Sequence, residues 1–453
     1  MTLLGRLAEH ADRYRASLPE RRVFPETTYE DIHAALDGPL PEHGEPPERV
    51  IDDLVATAEP GIVATAGPRY FGFVIGGTLP AALAADWLVT TWDVSLDSKV
   101  LSPAGHAIEA VTARWALEAL ALPRDASVGF VTGATMASFV GLAAARHRVL
   151  ADVGWDVEED GLAGAPPIRI LVGEEVHVAV LKSLRMLGIG SRHVIRVPAD
   201  ANGALRADEL ERALREGDGP TIVCAQAGNV DTGACDPLSA IAEAAHARGA
   251  WVHVDGAFGM WAAASPRLRH LVEGAERCDS WAVDAHKWLN VPYDCALAIV
   301  ADERAHVTAL SQTAPYLVQS DQSDGFHRTP ELSRRGRQVP VYAALRSLGR
   351  VGLAELVERS CAHARALAAE MAAQPGVAVL NDVVLNQVLL RFDDDDAVTE
   401  SVIERVQRGG EAWLGGTVWR GRVAARVSVS NWTTTEDDMR RLAEALRRAH
   451  VGN

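Results

Sequence analysis

The residues best suited to chemistry gather in one stretch. Trp251-Val252-His253-Val254 is a β-branched and aromatic run ending at Asp255-Gly256, and Ser280-Trp281-Ala282-Val283 leads into Asp284-Ala285-His286-Lys287-Trp288. Both runs predict buried strands. The segment between them is long enough for a crossover, so parallel strands with Asp255 and Lys287 on one rim are expected. A lysine directly behind a buried strand, between His286 and Trp288, is poorly solvated, which favours its neutral, nucleophilic form and suits it to a Schiff base. An ionised aspartate on the neighbouring strand end can keep a ring nitrogen protonated and so make the ring an electron sink. Taken singly, Asp255 also reads as a helix cap and Lys287 as a solvated rim charge.

A third feature lies upstream, where the strand pattern Val128-Gly129-Phe130-Val131 runs into Thr132-Gly133-Ala134-Thr135-Met136-Ala137-Ser138 and an alanine-rich helix. A small-residue turn between strand and helix points free N–H groups and the helix dipole at one place, an anion site, although the same turn also serves as a plain cap. Lysine, aspartate and anion turn, in this arrangement on strand ends, point to pyridoxal 5'-phosphate (PLP). His177 follows the strand IRILVG (168–173) and is available to stack on the ring face; as a lone histidine it reads equally as a cap or a solvated residue. The competing reading is a nucleotide-binding α/β enzyme. Against it, neither GxGxxG nor GxxxxGK[ST] occurs.

The elements that must position these residues follow from periodicity. Strand and helix patterns alternate over about 125 to 300, which predicts an α/β fold: a mostly parallel sheet flanked by helices, in a large domain over 56–310. Residues 1–55 hold too few apolar positions for a core and read as an N-terminal arm or helical extension. Residues 311–335 are polar and aperiodic and read as a mobile active-site loop, with Arg334, Arg335 and Arg337 either solvated or anchoring it. From 336 to 453 a long helical pattern, the strands VAVL, NQVLLRF and AARVSVSN and a final helix predict a smaller α+β domain. The run Asp393 to Asp396 reads as a solvated turn.

Composition sets the outer bounds. With 453 residues, 48% of them hydrophobic, the chain can bury a large core, and its net charge of -17 argues against nucleic acid or an anionic membrane as the main partner. The five cysteines show no CxxC pair, there is no apolar signal core, and no stretch is apolar enough to span a membrane, so a cytoplasmic protein with reduced thiols is expected.

The stretches HVDGAFG and DSWAVDAHKWLN resemble the PLP-dependent group II amino-acid decarboxylases, the family of aromatic-amino-acid and glutamate decarboxylases within fold type I (the aspartate aminotransferase fold). The resemblance runs from about Pro68 to Val351 through PRYFGFVIGG, TGATMAS, EEVHVAVLKSLRMLGIG, GNVDTGACDP and SRRGR, and less clearly to VSVSNW. It implies a seven-stranded-type sheet, Lys287 as the Schiff-base lysine, Asp255 as the pyridinium partner, Ala257 against the ring and His177 stacked on it. It further implies Gly133, Ala134, Thr135 and His286 around the phosphate, Asn229 near the phenolic oxygen, and a homodimer with shared active sites. The activity implied is decarboxylation of an amino acid.

The sequence departs from that family at one point. Typical members carry, ahead of the arginine pair, a loop tyrosine that returns a proton to the substrate α-carbon after CO2 leaves. Here the matching segment is SDGFHRTPELSRR, without tyrosine; Gly325, Phe326 and His327 stand nearest, and Tyr316 lies upstream. His327 is one replacement donor. The alternatives are oxidation to an aldehyde and C–S or C–C lysis by β-elimination or retro-aldol chemistry. Phe73, Ser102, Tyr316 and Arg426 are the expected substrate contacts; Arg426 reads either as a carboxylate ligand or as a surface strand arginine, and a firm carboxylate anchor there would count against decarboxylation. A catalytically silent binding protein is the remaining class, and the intact Asp255 and Lys287 speak against it.

Overall fold

The computed structural model describes residues 2–95, 99–312 and 324–452. In chain order its helices are α1 (Leu3–Ser17), α2 (Tyr29–Leu36), α3 (Pro47–Ala58), α4 (Pro80–Trp92), α5 (Pro103–Ala119), α6 (Ala134–Ala151), α7 (Val157–Asp160), α8 (Val178–Met186), α9 (Ala207–Arg215), α10 (Leu238–His246), α11 (Glu303–Leu310), α12 (Gln338–Ala372), α13 (Asp396–Gly409) and α14 (Glu436–Val451). Two compact units are distinguished: residues 78–365 with 381–388, and residues 1–77 with 366–380 and 389–453.

The first unit holds β1 (Ser127–Val131), β2 (Arg169–Gly173), β3 (Val194–Val197), β4 (Thr221–Gln226), β5 (Trp251–Asp255), β6 (Ser280–Asp284) and β7 (Ala296–Val300), in the sheet order β1-β7-β6-β5-β4-β2-β3. Only β7 runs against its neighbours; the others share one direction, so β1, β2, β4, β5 and β6 all end on the same rim. The α/β architecture with a mostly parallel sheet is thus the expected one. Every residue of β1, β4, β5, β6 and β7 is buried, as continuous apolar runs in a sheet covered on both faces require. Helix α6 covers one face. Gly141 lets it approach β5, because a methyl group there would sit 2.9 Å from the His253 ring. Between β5 and β6 the crossover is made of short 3₁₀ turns rather than a long helix.

The 324–335 region is anchored. Arg334 forms a buried ion pair with Glu109 of α5, while Arg335 meets Asp86 at 2.8 Å and Arg337 meets Asp294 at 2.9 Å. The arginine cluster therefore acts as an anchor, not as a solvated patch.

The other unit carries the antiparallel sheet β10 (Gly415–Trp419), β11 (Arg422–Ser428), β9 (Gln387–Phe392), β8 (Val377–Val379), named in sheet order. Its described residues also include α1–α3, α13 and α14. Thr435 and Asp438 form a capping box that starts α14, whose Met439, Leu442, Ala443 and Leu446 make the buried stripe. The acidic run is not a free solvated turn: Asp395 caps α13, and Asp394 and Asp396 both bind Arg391. Among the described residues no helix is long and apolar enough to cross a membrane.

Candidate active site

Asp255 closes β5, Asp284 closes β6, and Lys287 stands three residues beyond, so the parallel pairing of Asp255 with Ala282 brings both expected residues to one rim. Lys287 is largely buried, with Nζ 3.5 Å from Asp284 Oδ2 and 5.9 Å from the centre of the Phe258 ring. Asp284 was not singled out by sequence, although it carries the same signal as Asp255, an acid ending a buried strand. Its Oδ1 accepts the Ala134 N–H at 2.7 Å, which fastens the start of α6 to β6. Its own N–H donates to the Ala257 carbonyl at 2.9 Å.

The small-residue turn comes to the same place. A methyl group on Gly133 would lie 3.8 Å from both Asp284 Oδ1 and His286 Cε1. Ser183 of α8 donates to the Thr135 carbonyl at 2.9 Å, tying α8 to the first turn of α6. His177 caps α8, its Nδ1 accepting from the Ala179 N–H at 3.3 Å. The capping alternative for this histidine is therefore realised, and its ring stays half-exposed at the rim.

Asn229 is buried in the loop after β4, accepting from the Asp231 and Thr232 N–H groups and donating to the Glu175 carbonyl two residues before His177. The Ala227 N–H donates to the Asp255 carbonyl at 2.9 Å. These links join the Asp255, Asn229 and His177 segments along the strand ends. The Asp255 carboxylate accepts the Ala257 N–H at 3.2 Å and is 6% exposed.

Electrostatics favours a neutral imidazole at His286. Burial pushes His286 below its usual value, with Lys287 adding to that and Asp284 opposing it. Its ring stacks on Tyr293 with centroids 4.2 Å apart. His286 Nδ1 is buried without a hydrogen-bond partner among the described residues. Asp284 Oδ1 lies 3.6 Å from it, beyond hydrogen-bond reach, so this nitrogen beside a small-residue helix start can still serve a polar ligand atom. The residues thus fit a cofactor phosphate near Gly133, Ala134, Thr135 and His286, with Asp255 and Lys287 left for a ring nitrogen and a carbonyl carbon.

Among the described residues, Phe326 and His327 are not joined to this cluster. Phe326 is buried and His327 half-buried on the 3₁₀ turn Gly325–Arg328, their rings 4.1 Å apart, and no hydrogen bond, ion pair or ring contact among the described residues links them to Lys287 or Asp255. Ser102 caps α5 and helps line an apolar cavity of about 230 Å³ with Trp92, Ile108 and Val339. Phe71 is packed away, whereas Phe73 is 59% exposed and stacks on Trp413. Arg426 is buried in β11 opposite Gly415, so the surface-strand reading does not hold. Tyr316 lies outside the described residues.

The Pyridoxal-dependent decarboxylase conserved domain matches residues 30–393 of the chain. Among curated proteins, the L-2,4-diaminobutyrate decarboxylase of Rhizobium meliloti (strain 1021) is 29% identical over 442 residues, covering 94% of this chain and 86% of that protein. The phenylacetaldehyde synthase of Arabidopsis thaliana is 26% identical over 429 residues, covering 89% and 86%. The crystal structure of Oryza sativa TDC with PLP and tryptamine shares the fold, with a TM-score of 0.93 at 24% identity over 99% of this chain and 97% of that one. A lysine and an aspartate on one sheet rim, an imidazole nitrogen without a hydrogen bond beside a helix start, and a domain match over most of the chain agree: the chain belongs to the pyridoxal-dependent decarboxylase family, and PLP is its cofactor.

Proposed function

We propose that the protein removes the α-carboxylate of an amino acid as CO2 and releases the corresponding amine. The observation that carries this reading is the rim itself, with Asp255 and Lys287 on the ends of two parallel strands inside a decarboxylase-family chain. When bound, PLP supplies an electron sink conjugated to the substrate's α-carbon.

The chain's own groups then have distinct tasks. Lys287 Nζ is the nucleophile that would hold the cofactor, and Asp284 Oδ2 is the counter-ion for its ammonium form. Asp255 would hold a proton on the ring nitrogen, Ala257 would leave room against the ring and His177 would cover its face. Gly133, Ala134, Thr135 and His286 would take the phosphate, with Asn229 serving the phenolic oxygen. His327 delivers the proton that replaces the lost carboxylate, and the ring of buried Phe326 packs tilted against it.

A second reading is favoured by one observation, the sequence Gly325-Phe326-His327 where a tyrosine is expected. Without a proton delivered to the α-carbon, molecular oxygen would take the electron pair. Amino acid, O2 and water would then give aldehyde, CO2, ammonia and hydrogen peroxide in equal amounts.

The protein is read as a cytoplasmic homodimer with shared active sites. An exposed apolar surface on α4 and the segment after it, with Trp87, Leu88, Trp92, Val94, Val100 and Leu101, supports the dimer. The five free thiols agree with a reducing compartment. A panel of amino acids assayed together for CO2, amine, ammonia and peroxide tests the chemistry. Amine matching CO2 supports decarboxylation, peroxide and ammonia matching CO2 the oxidative route, and ammonia without CO2 overturns both.

A further inference from the structure

We propose that His306, outside the cofactor rim, is a positioning residue that latches the Phe326–His327 turn and so sets how often the reaction ends in proton delivery. The inference rests on the reading of His327 as the proton donor.

His306 lies on α11 and is wholly buried. Its Nε2 lies 3.0 Å from the Arg328 carbonyl and its Nδ1 2.9 Å from Ser127 Oγ. A carbonyl only accepts, so Nε2 carries the hydrogen and Nδ1 accepts from the serine hydroxyl. One ring thereby joins the first residue of β1 to the last residue of the turn. Burial holds His306 neutral, down at about 3, so the latch keeps one tautomer at working pH.

Two further contacts grip the same residue. Glu303, one helical turn earlier on α11, pairs with the Arg328 guanidinium at 2.6 Å, so backbone and side chain of Arg328 are both held from one helix face. On the other side β1 comes up close at Gly129, where a methyl group would lie 2.3 Å from the Arg328 carbonyl oxygen. Asp324, wholly buried, accepts the Lys99 N–H at 3.1 Å on its side chain and the His327 N–H at 3.1 Å on its carbonyl.

His306→Phe removes both hydrogen bonds and keeps a ring; His306→Gln keeps a donor for the carbonyl. The cofactor-loaded variants are compared by hydrogen exchange of peptides covering 324–335 and by the ratio of amine to aldehyde formed. In His306→Phe, protection of these peptides and the amine-to-aldehyde ratio are each expected to fall about tenfold, the worth of one to two buried hydrogen bonds, with KM within about twofold of the parent. His306→Gln is expected to recover most of both. If His306→Phe does not fold, Ser127→Ala, which removes only the Nδ1 partner, carries the same test at smaller amplitude. Unchanged exchange and unchanged product ratio in the variants overturn the latch. A His327→Gln variant with the parental product ratio overturns the donor reading instead; if His327→Gln shifts the ratio and His306→Phe does not, the donor stands and the latch falls.

Discussion

Lys287 and Asp284 meet across one turn of chain, Nζ to Oδ2 at 3.5 Å, while the other carboxylate oxygen accepts the first N–H of α6 at 2.7 Å. One buried acid thus holds both Lys287 and the start of α6. Asp284→Ala removes the cap and should cost about 1–2 kcal/mol in urea unfolding of the cofactor-free protein, whereas Asp284→Asn keeps an acceptor and should cost less than half of that. Equal losses in the two variants would mean that the carboxylate acts through its charge on Lys287 and not as a cap.

Lys287→Ala should abolish the visible absorbance of the protein-bound cofactor and lower turnover by about a thousandfold or more, since it removes the amine beside Asp284 on the rim. Asp255→Asn removes the charge proposed to keep the ring nitrogen protonated. Cofactor capture should persist there while kcat falls by about a hundredfold or more. An Asp255→Asn enzyme with normal kcat would remove Asp255 from the chemistry.

The rim was legible because strand ends are written locally. An all-apolar run ending in an acid defines β5 and β6, and their parallel pairing follows from the length between them. Asp284 escaped notice because its importance lies in a contact with Ala134 across 150 positions of sequence, which no spacing encodes. Strand β7 is as apolar as its neighbours, but nothing local says that it runs antiparallel. The Arg334–Glu109 pair, joined across 225 positions, was equally invisible, and the histidines His253 and His306 became interpretable only once their burial was known.

Burial pushes His327 below its usual value, opposed by Asp324 and aided by Arg328. The protonated, donating form therefore becomes scarce as pH rises through that lowered value. If His327 is the donor, the amine-to-aldehyde ratio should fall with rising pH, and His327→Gln should show a low ratio without that slope. A ratio independent of pH in the parent enzyme would assign the proton to another group.

His253 and His306 are both kept neutral by burial, at about 4 and about 3. Unfolded, each titrates near 6.5, so between those values the unfolded chain binds more protons than the folded one. Their contribution is fully present above about pH 6.5 and is lost as pH falls through the folded values, by an amount on the order of a few kcal/mol. The urea midpoint should drop between about pH 7 and about pH 4, and His306→Gln should flatten the drop. An unchanged slope in that variant would show that His306 is not a source of acid lability.

The buried pair Arg334–Glu109 stands directly behind Gly325, where a methyl group would lie 1.6 Å from Arg334 Nη2. Removing one partner leaves the other charged and buried. Arg334→Met should therefore cost about 3–5 kcal/mol, measured by urea unfolding of the loaded enzyme. The double change Arg334→Met with Glu109→Leu removes both charges and should recover most of that loss, because a well-packed apolar pair is close to neutral against a buried ion pair. Hydrogen exchange of the 324–335 peptides adds a second readout, since these residues lead from the Phe326–His327 turn to the anchor. Loss of protection in Arg334→Met that persists in the double variant would show that the ion pair specifies the position of this segment as well as stabilising it. Recovery of both stability and protection would assign the pair a purely energetic role.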